Sequence, residues 1–142
     1  MKNYDLSQYM LRRGDIILFP ITQEEVGILK QGKDAFEKYI RMPYVAGVIA
    51  TDIVEEIEAS INMDDEYWFM NTLWVVAHIP SKEIFGTIRY KSEGEESRVI
   101  TNVTMLSDVP DTYAGAIKLF VDFLSVNNYK NIAIAFEERY ED

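Results

Sequence analysis

The stretch Ser107-Asp108-Val109-Pro110-Asp111-Thr112-Tyr113-Ala114-Gly115 joins a strand-like run, residues 98–105, to an amphipathic run, residues 113–126. A strand–loop–helix junction offers free backbone N–H groups at the positive end of a helix dipole, which is a natural seat for phosphate. This junction is acidic, contains a proline, and lacks the glycines and arginine that a phosphate cradle uses. The backbone position argues for an anion, and the side chains argue against one.

Few other residues have the types or spacing for chemistry. His78 is the only histidine, and there is no cysteine. An imidazole is a useful base near neutral pH. His78 lies in an apolar run beside Trp74 and Val76, where a core or sheet-edge role is expected. With one His and no Cys, a zinc site would rest on carboxylates, so no metal is expected. Ser81 or Ser107 could join His78 in a Ser-His-Asp arrangement, but the chain has no nucleophile elbow. The acidic cluster Asp64-Asp65-Glu66 could hold a cation or an amine, and reads more simply as a solvated helix end. Glu93-Gly94-Glu95-Glu96 reads as a hairpin turn. Tyr67, Trp68, Phe69 and Trp74 could line a pocket, although core packing is the simpler account of them.

These residues must be placed by regular elements. Asp15-Ile16-Ile17-Leu18-Phe19 ends at Pro20 and reads as a strand. Thr22 with Glu25 three residues later is a capping box, so a helix is expected from Gln23 to a stop at Gly32. Residues 34–41 give a second short helix that Pro43 ends, with Phe36 and Ile40 on one face. Thr51 or Asp52 is expected to cap a third helix, on which Ile53, Val54, Ile57 and Ile61 form one stripe. Glu55, Glu56 and Glu58 fall off that stripe as acidic surface. Residues 73–79 are apolar on both faces and suit a central strand. With residues 84–90 and 98–105 they form a three-strand meander. Tyr113, Ala116, Ile117, Phe120, Val121 and Leu124 then repeat at helical spacing, with Asp108 or Asp111 as cap. Residues 131–136 return as a buried strand, which makes a βαβ crossover.

A chain of 142 residues suits one domain, residues 1–142, with an arm or short helix at 1–13 and a polar tail at 137–142. Apolar residues make up 48% and charged residues 27%, which places the chain in the globular class. The formal net charge of -10 disfavours nucleic acid and anionic membranes, because both need Lys/Arg contacts. No apolar run approaches a membrane span and no secretory signal is visible, so a cytoplasmic location is expected. The absence of cysteine suits a reducing compartment.

The order strand, helices, three-strand meander, long helix, strand resembles the GCN5-related N-acetyltransferase superfamily over residues 15–136. Three segments carry the likeness. Asp15-Ile16-Ile17-Leu18-Phe19-Pro20-Ile21-Thr22 is similar to the family's first strand as it enters a helix. Ile84-Phe85-Gly86-Thr87-Ile88 is similar to its isoleucine-glycine-threonine-isoleucine hairpin. Tyr113-Ala114 is similar to the residues that follow its pyrophosphate loop. The resemblance implies an α/β (α+β) fold with a mixed, mostly antiparallel central sheet flanked by helices. It implies acetyl-CoA as acyl donor and a small amine or peptide N-terminus as acceptor. Mapped on this chain, Val103, Thr104 and Met105 would meet the pantetheine arm. Val109, Asp111, Thr112, Tyr113 and Ala114 would meet the pyrophosphate.

The departures from the family pattern have physical content. Val109 stands at the arginine position, and Pro110 and Thr112 stand at the glycine positions. Pro110 has no N–H to donate. Asp108 and Asp111 would face the ligand's negative charge, at a cost of about 1 kcal/mol for a close pair even in water. The strand before the loop carries Val99, Thr101 and Asn102 where many relatives carry an acidic base, so no catalytic residue is assigned. Two functions stay open: acetyl transfer to a primary amine, and a non-catalytic acidic interaction module that has lost the cofactor. An open sheet edge would further invite a homodimer.

Overall fold

In the computed structural model the backbone is described for residues 9–44, 49, 51–66, 68–93, 96–103, 111–126 and 132–136; of these, 91–93, 96–103, 111–114 and 132–136 are described as backbone alone. Strands β1 (Leu11–Arg13) and β2 (Ile16–Pro20) form an antiparallel hairpin closed by Gly14 and Asp15. Gly14 has φ +59°, the positive value required at the first position of a tight primed turn. The expectation of an arm or short helix over residues 1–13 is corrected at residues 11–13, which belong to the sheet. The Gly-Asp pair between two short runs was the sequence sign of this hairpin.

Helix α1 (Gln23–Gln31) starts at the expected capping box. Thr22 Oγ1 accepts from the Glu25 N–H at 3.3 Å, and Glu25 Oε1 accepts from the Thr22 N–H at 2.9 Å. Gly32 ends α1 and begins α2 (Lys33–Ile40), which ends at a left-handed Arg41 two residues before Pro43. Helix α3 (Thr51–Ser60) buries Ile53, Val54 and Ile57, and Ile61 follows them into the core. Thr51 and Asp52 lie inside its first turn and are not its cap; the preceding position is outside the described residues.

A short 3₁₀ turn, Trp68–Met70, leads into β3 (Leu73–His78), which is buried on both faces except at His78. The meander continues through β4 (Glu83–Glu93) and β5 (Glu96–Val103), with a bulge at Val76/Ala77. Helix α4 (Asp111–Val126) then crosses to β6 (Ile132–Phe136), which pairs parallel to β5. The six strands lie in sequence order, antiparallel from β1 to β5, so the fold is α+β with one mixed sheet.

Helices cover both faces of the sheet. On one, α4 lies against β1 and β2 and brings Phe120 and Phe123 within 5.3 Å, centroid to centroid, of the Trp74 ring. A Cβ on Gly115 would sit 3.5 Å from Ile16 Cδ1, so this helix start packs closely on β2. On the other, α3 is tied to β4 by an Arg89–Glu56 ion pair at 2.9 Å and packs against α1. Ala116, Phe120 and Leu124 are fully buried, while Ile117 and Val121 of the expected stripe are half-buried. Two buried polar bonds connect the layers' edges. Thr72 Oγ1 donates to the Ile21 carbonyl at 2.7 Å, and Trp74 Nε1 donates to the Phe69 carbonyl at 2.8 Å.

Candidate functional site

Parallel pairing of β5 with β6 forces the chain to return along α4 before β6 can start. The C-terminal end of β5 and the N-terminal turn of α4 therefore belong to one connection, residues 104–110. Val103 is the last residue of β5 and pairs with Gly86, which in turn pairs with Val76. Asp111, Thr112, Tyr113 and Ala114 form the first turn of α4. The N–H groups of the first three residues of an α-helix have no partner within it, so Asp111, Thr112 and Tyr113 are the positions whose backbone can face an acceptor, while Ala114 stands where the helix's own bonding begins. Thr104, Met105 and Val109 lie outside the described residues, as do Ser107, Asp108 and Pro110.

Helix α4 begins two residues earlier than its apolar stripe indicates. Asp111 is thus its first residue, neither a loop residue nor a cap. A carboxylate in a first turn is stabilised by the helix dipole, typically by 0.3–1 kcal/mol. The same carboxylate repels a second anion brought to that end. The dipole and the aspartate therefore act in opposite directions on any diphosphate.

A second group of polar side chains shares this end of the sheet. β3 and β5 both run antiparallel to β4, so their C-terminal ends lie on the same side. In the turn after β3, Ser81 Oγ lies 2.8 Å from His78 Nδ1 and 3.3 Å from Glu83 Oε1. The Ser81 N–H also points to His78 Nδ1, at 3.4 Å. The serine stands between the histidine and the carboxylate, whereas a nucleophilic triad places the histidine in the middle. This geometry orients the imidazole and does not activate the serine. Glu83 is only 3% exposed, and Lys82 adopts φ +54° to close the turn. Ser81 was among the sequence candidates for a partner of His78, whereas Glu83 was not; its place two residues after Ser81 in the same turn was the available signal.

A third feature is a cavity of about 240 Å³ lined by Glu56, Ser60, Asn71, Thr72, Arg89 and Tyr90 among others. Arg89 is nearly buried, and its guanidinium donates from Nη1 to Glu56 Oε2. The cavity thus holds an ion pair rather than a lone charge. Glu56 was expected as plain acidic surface off the α3 stripe, but it reaches over to β4.

The remaining sequence candidates fall to structural roles. Trp68, Phe69 and Trp74 are core residues, and Tyr67 is outside the described residues. Asp64, Asp65 and Glu66 are exposed in the turn after α3, where the Asp64 N–H donates to Asn62 Oδ1 at 3.0 Å. Among the described residues, no three His, Asp or Glu side chains are grouped to hold a metal ion. No helix among them is long and apolar enough to cross a membrane. In comparison with known proteins, no family model and no curated protein matches the chain.

Proposed function

We propose that this chain is a GCN5-related N-acetyltransferase-like protein that uses acetyl-CoA to acetylate a primary amine, either a small molecule or a peptide N-terminus. The observation that supports this reading is the parallel β5–β6 pair with α4 crossing between them. It brings the backbone of Val103 and the first-turn N–H groups of Asp111, Thr112 and Tyr113 to one connection. A strand edge there can hold an extended amide chain, and the helix start can face a phosphate. In the reaction, the amine nitrogen attacks the thioester carbonyl, the carbon–sulfur bond breaks, and the thiolate leaves. The amine proton passes to water or to the imidazole of His78, the only histidine, at the same end of the sheet. We place the protein in the cytoplasm, a reducing setting that suits a chain without cysteine.

A specific observation favours a second reading. Asp111 as the first residue of α4, with Pro110 before it, sets a negative charge and a missing N–H where a diphosphate would be held. A non-catalytic acidic module with this fold accounts for both. Calorimetric titration with acetyl-CoA separates the two: micromolar binding is the expected result for the transferase, and no heat at millimolar ligand leaves the module. The double variant Pro110→Gly, Thr112→Gly adds a second arm. Binding that appears only in this variant would identify the loop chemistry as the sole obstacle.

A further inference from the structure

Between β2 and the α1–α2 pair lies a pocket of about 290 Å³, lined by Met10, Phe19, Pro20, Glu25, Ile40 and Met42. Five of the six lining residues are apolar, and Glu25 is the one that carries a charge. Its volume is near the lower end of small-molecule sites, roughly 300–1,000 Å³. The pocket sits at β2, three strands away from β5 in the sheet, roughly 14 Å at the usual spacing. It is therefore separate from the crossover between β5 and β6.

The carboxylate of Glu25 is used on one side only. Oε1 accepts from the Thr22 N–H at 2.9 Å and from Thr22 Oγ1 at 3.1 Å. Among the described residues Oε2 has no hydrogen bond or ion pair, and no Lys or Arg neutralises the group. Burial raises the Glu25 pKa above its ordinary value; the two Thr22 bonds oppose this, and the nearby Glu24 adds to it. A desolvated carboxylate that lacks a cation is stabilised by any cation brought to it. Glu24 on α1 and a net charge of -10 add a field of the same sign.

We propose that this pocket binds a small organic ammonium ion, its charged head on Glu25 and its apolar body against Phe19, Ile40 and Met42. The alternatives fit less well. An anion would meet the carboxylate, and a neutral apolar molecule would cover Oε2 without giving it a hydrogen bond. A hydrated metal ion would find one carboxylate and an apolar wall. The inference concerns binding and stands apart from acyl transfer.

The test uses the full chain, without acetyl-CoA, and 2-phenylethylammonium chloride as probe. Binding is followed by calorimetry and by chemical shifts of the Met10 and Met42 methyl groups. The neutral isostere 2-phenylethanol and the anion phenylacetate are the controls. The ammonium ion is expected to bind about tenfold or more tightly than the alcohol, the factor for one charge-assisted hydrogen bond, and phenylacetate is expected not to bind. Glu25→Gln keeps an oxygen for Thr22 and removes the charge, so it should reduce ammonium binding to the level of the alcohol. Equal binding of ammonium and alcohol, unchanged binding by Glu25→Gln, or no binding at millimolar probe overturns the proposal. If Glu25→Gln does not fold, Met42→Trp, which fills the pocket from α2's end, must abolish binding; persistence of binding there also overturns it. Because acetyl-CoA is absent, failure here leaves the acyl-transfer reading untouched.

Discussion

Thr22 and Glu25 fix the first turn of α1 through reciprocal hydrogen bonds, and each side chain has a separable effect. Thr22→Ala removes the hydroxyl acceptor of the Glu25 N–H and should cost about 1 kcal/mol, read from urea unfolding. Glu25→Gln keeps the cap oxygen and removes the titration. Because burial raises the folded-state pKa of Glu25, the folded chain binds a proton more readily than the unfolded chain. The stability from this group is present below the ordinary carboxylate value of 4.5 and is lost as pH rises through the raised folded value. Stability measured against pH should therefore fall across that window in the parent relative to Glu25→Gln. Parallel curves would show that Glu25 does not titrate as described. Tyr39 reports the same charge from α2. Its phenol is raised above 10.0, first by Glu25 and then by burial and Glu24, so Glu25→Gln should lower its absorbance titration.

At the scale of elements, the break between α1 and α2 rests on one glycine. Gly32 has φ +126° and ψ 167°, a region that only glycine enters without strain. Its N–H closes α1 on the Leu29 carbonyl at 3.0 Å, and its carbonyl starts α2 by accepting from the Phe36 N–H at 3.2 Å. Gly32→Ala has open space around its Cβ, so its cost is backbone strain, about 1–3 kcal/mol, seen as a lowered midpoint in thermal unfolding. This joint was legible in the sequence because a capping box and a stop glycine are local signals. The meander and α4 were legible for a similar reason: their periodicities are long and uninterrupted. The β1 hairpin was missed because three residues, Leu11–Arg13, have too little apolar pattern to announce a strand, and pairing with β2 decides their conformation. The start of α4 was misplaced because Asp111 and Thr112 add nothing to an apolar stripe. The candidate site was legible only as far as the connection between β5 and α4. The His78–Ser81–Glu83 contacts and the α1–α2 pocket depend on tertiary approach, which spacing alone does not reveal.

For the whole molecule, the core is a tightly coupled aromatic group. Phe120 is fully buried against both Trp74 and Phe123, and Phe120→Ala should cost about 3–5 kcal/mol in chemical unfolding, enough to approach the total stability of a small domain. Among the described residues β6 forms one edge of the sheet, and such an edge can pair with a second copy. Light scattering across a concentration series should then show a dimer, and a constant monomer mass would exclude that pairing. The strand order also fixes a timetable. Every strand from β2 to β5 finds its neighbour by closing on the strand before it, with only loops or the α1–α3 segment between. β6 pairs only after a sixteen-residue helix has turned back across β1 and β2. The longest closure is nevertheless that of β2 on β3, across residues 21–72 against 104–131 for β5 and β6, so refolding should show the β2 amides that face β3 gaining exchange protection after those of β4 and β5.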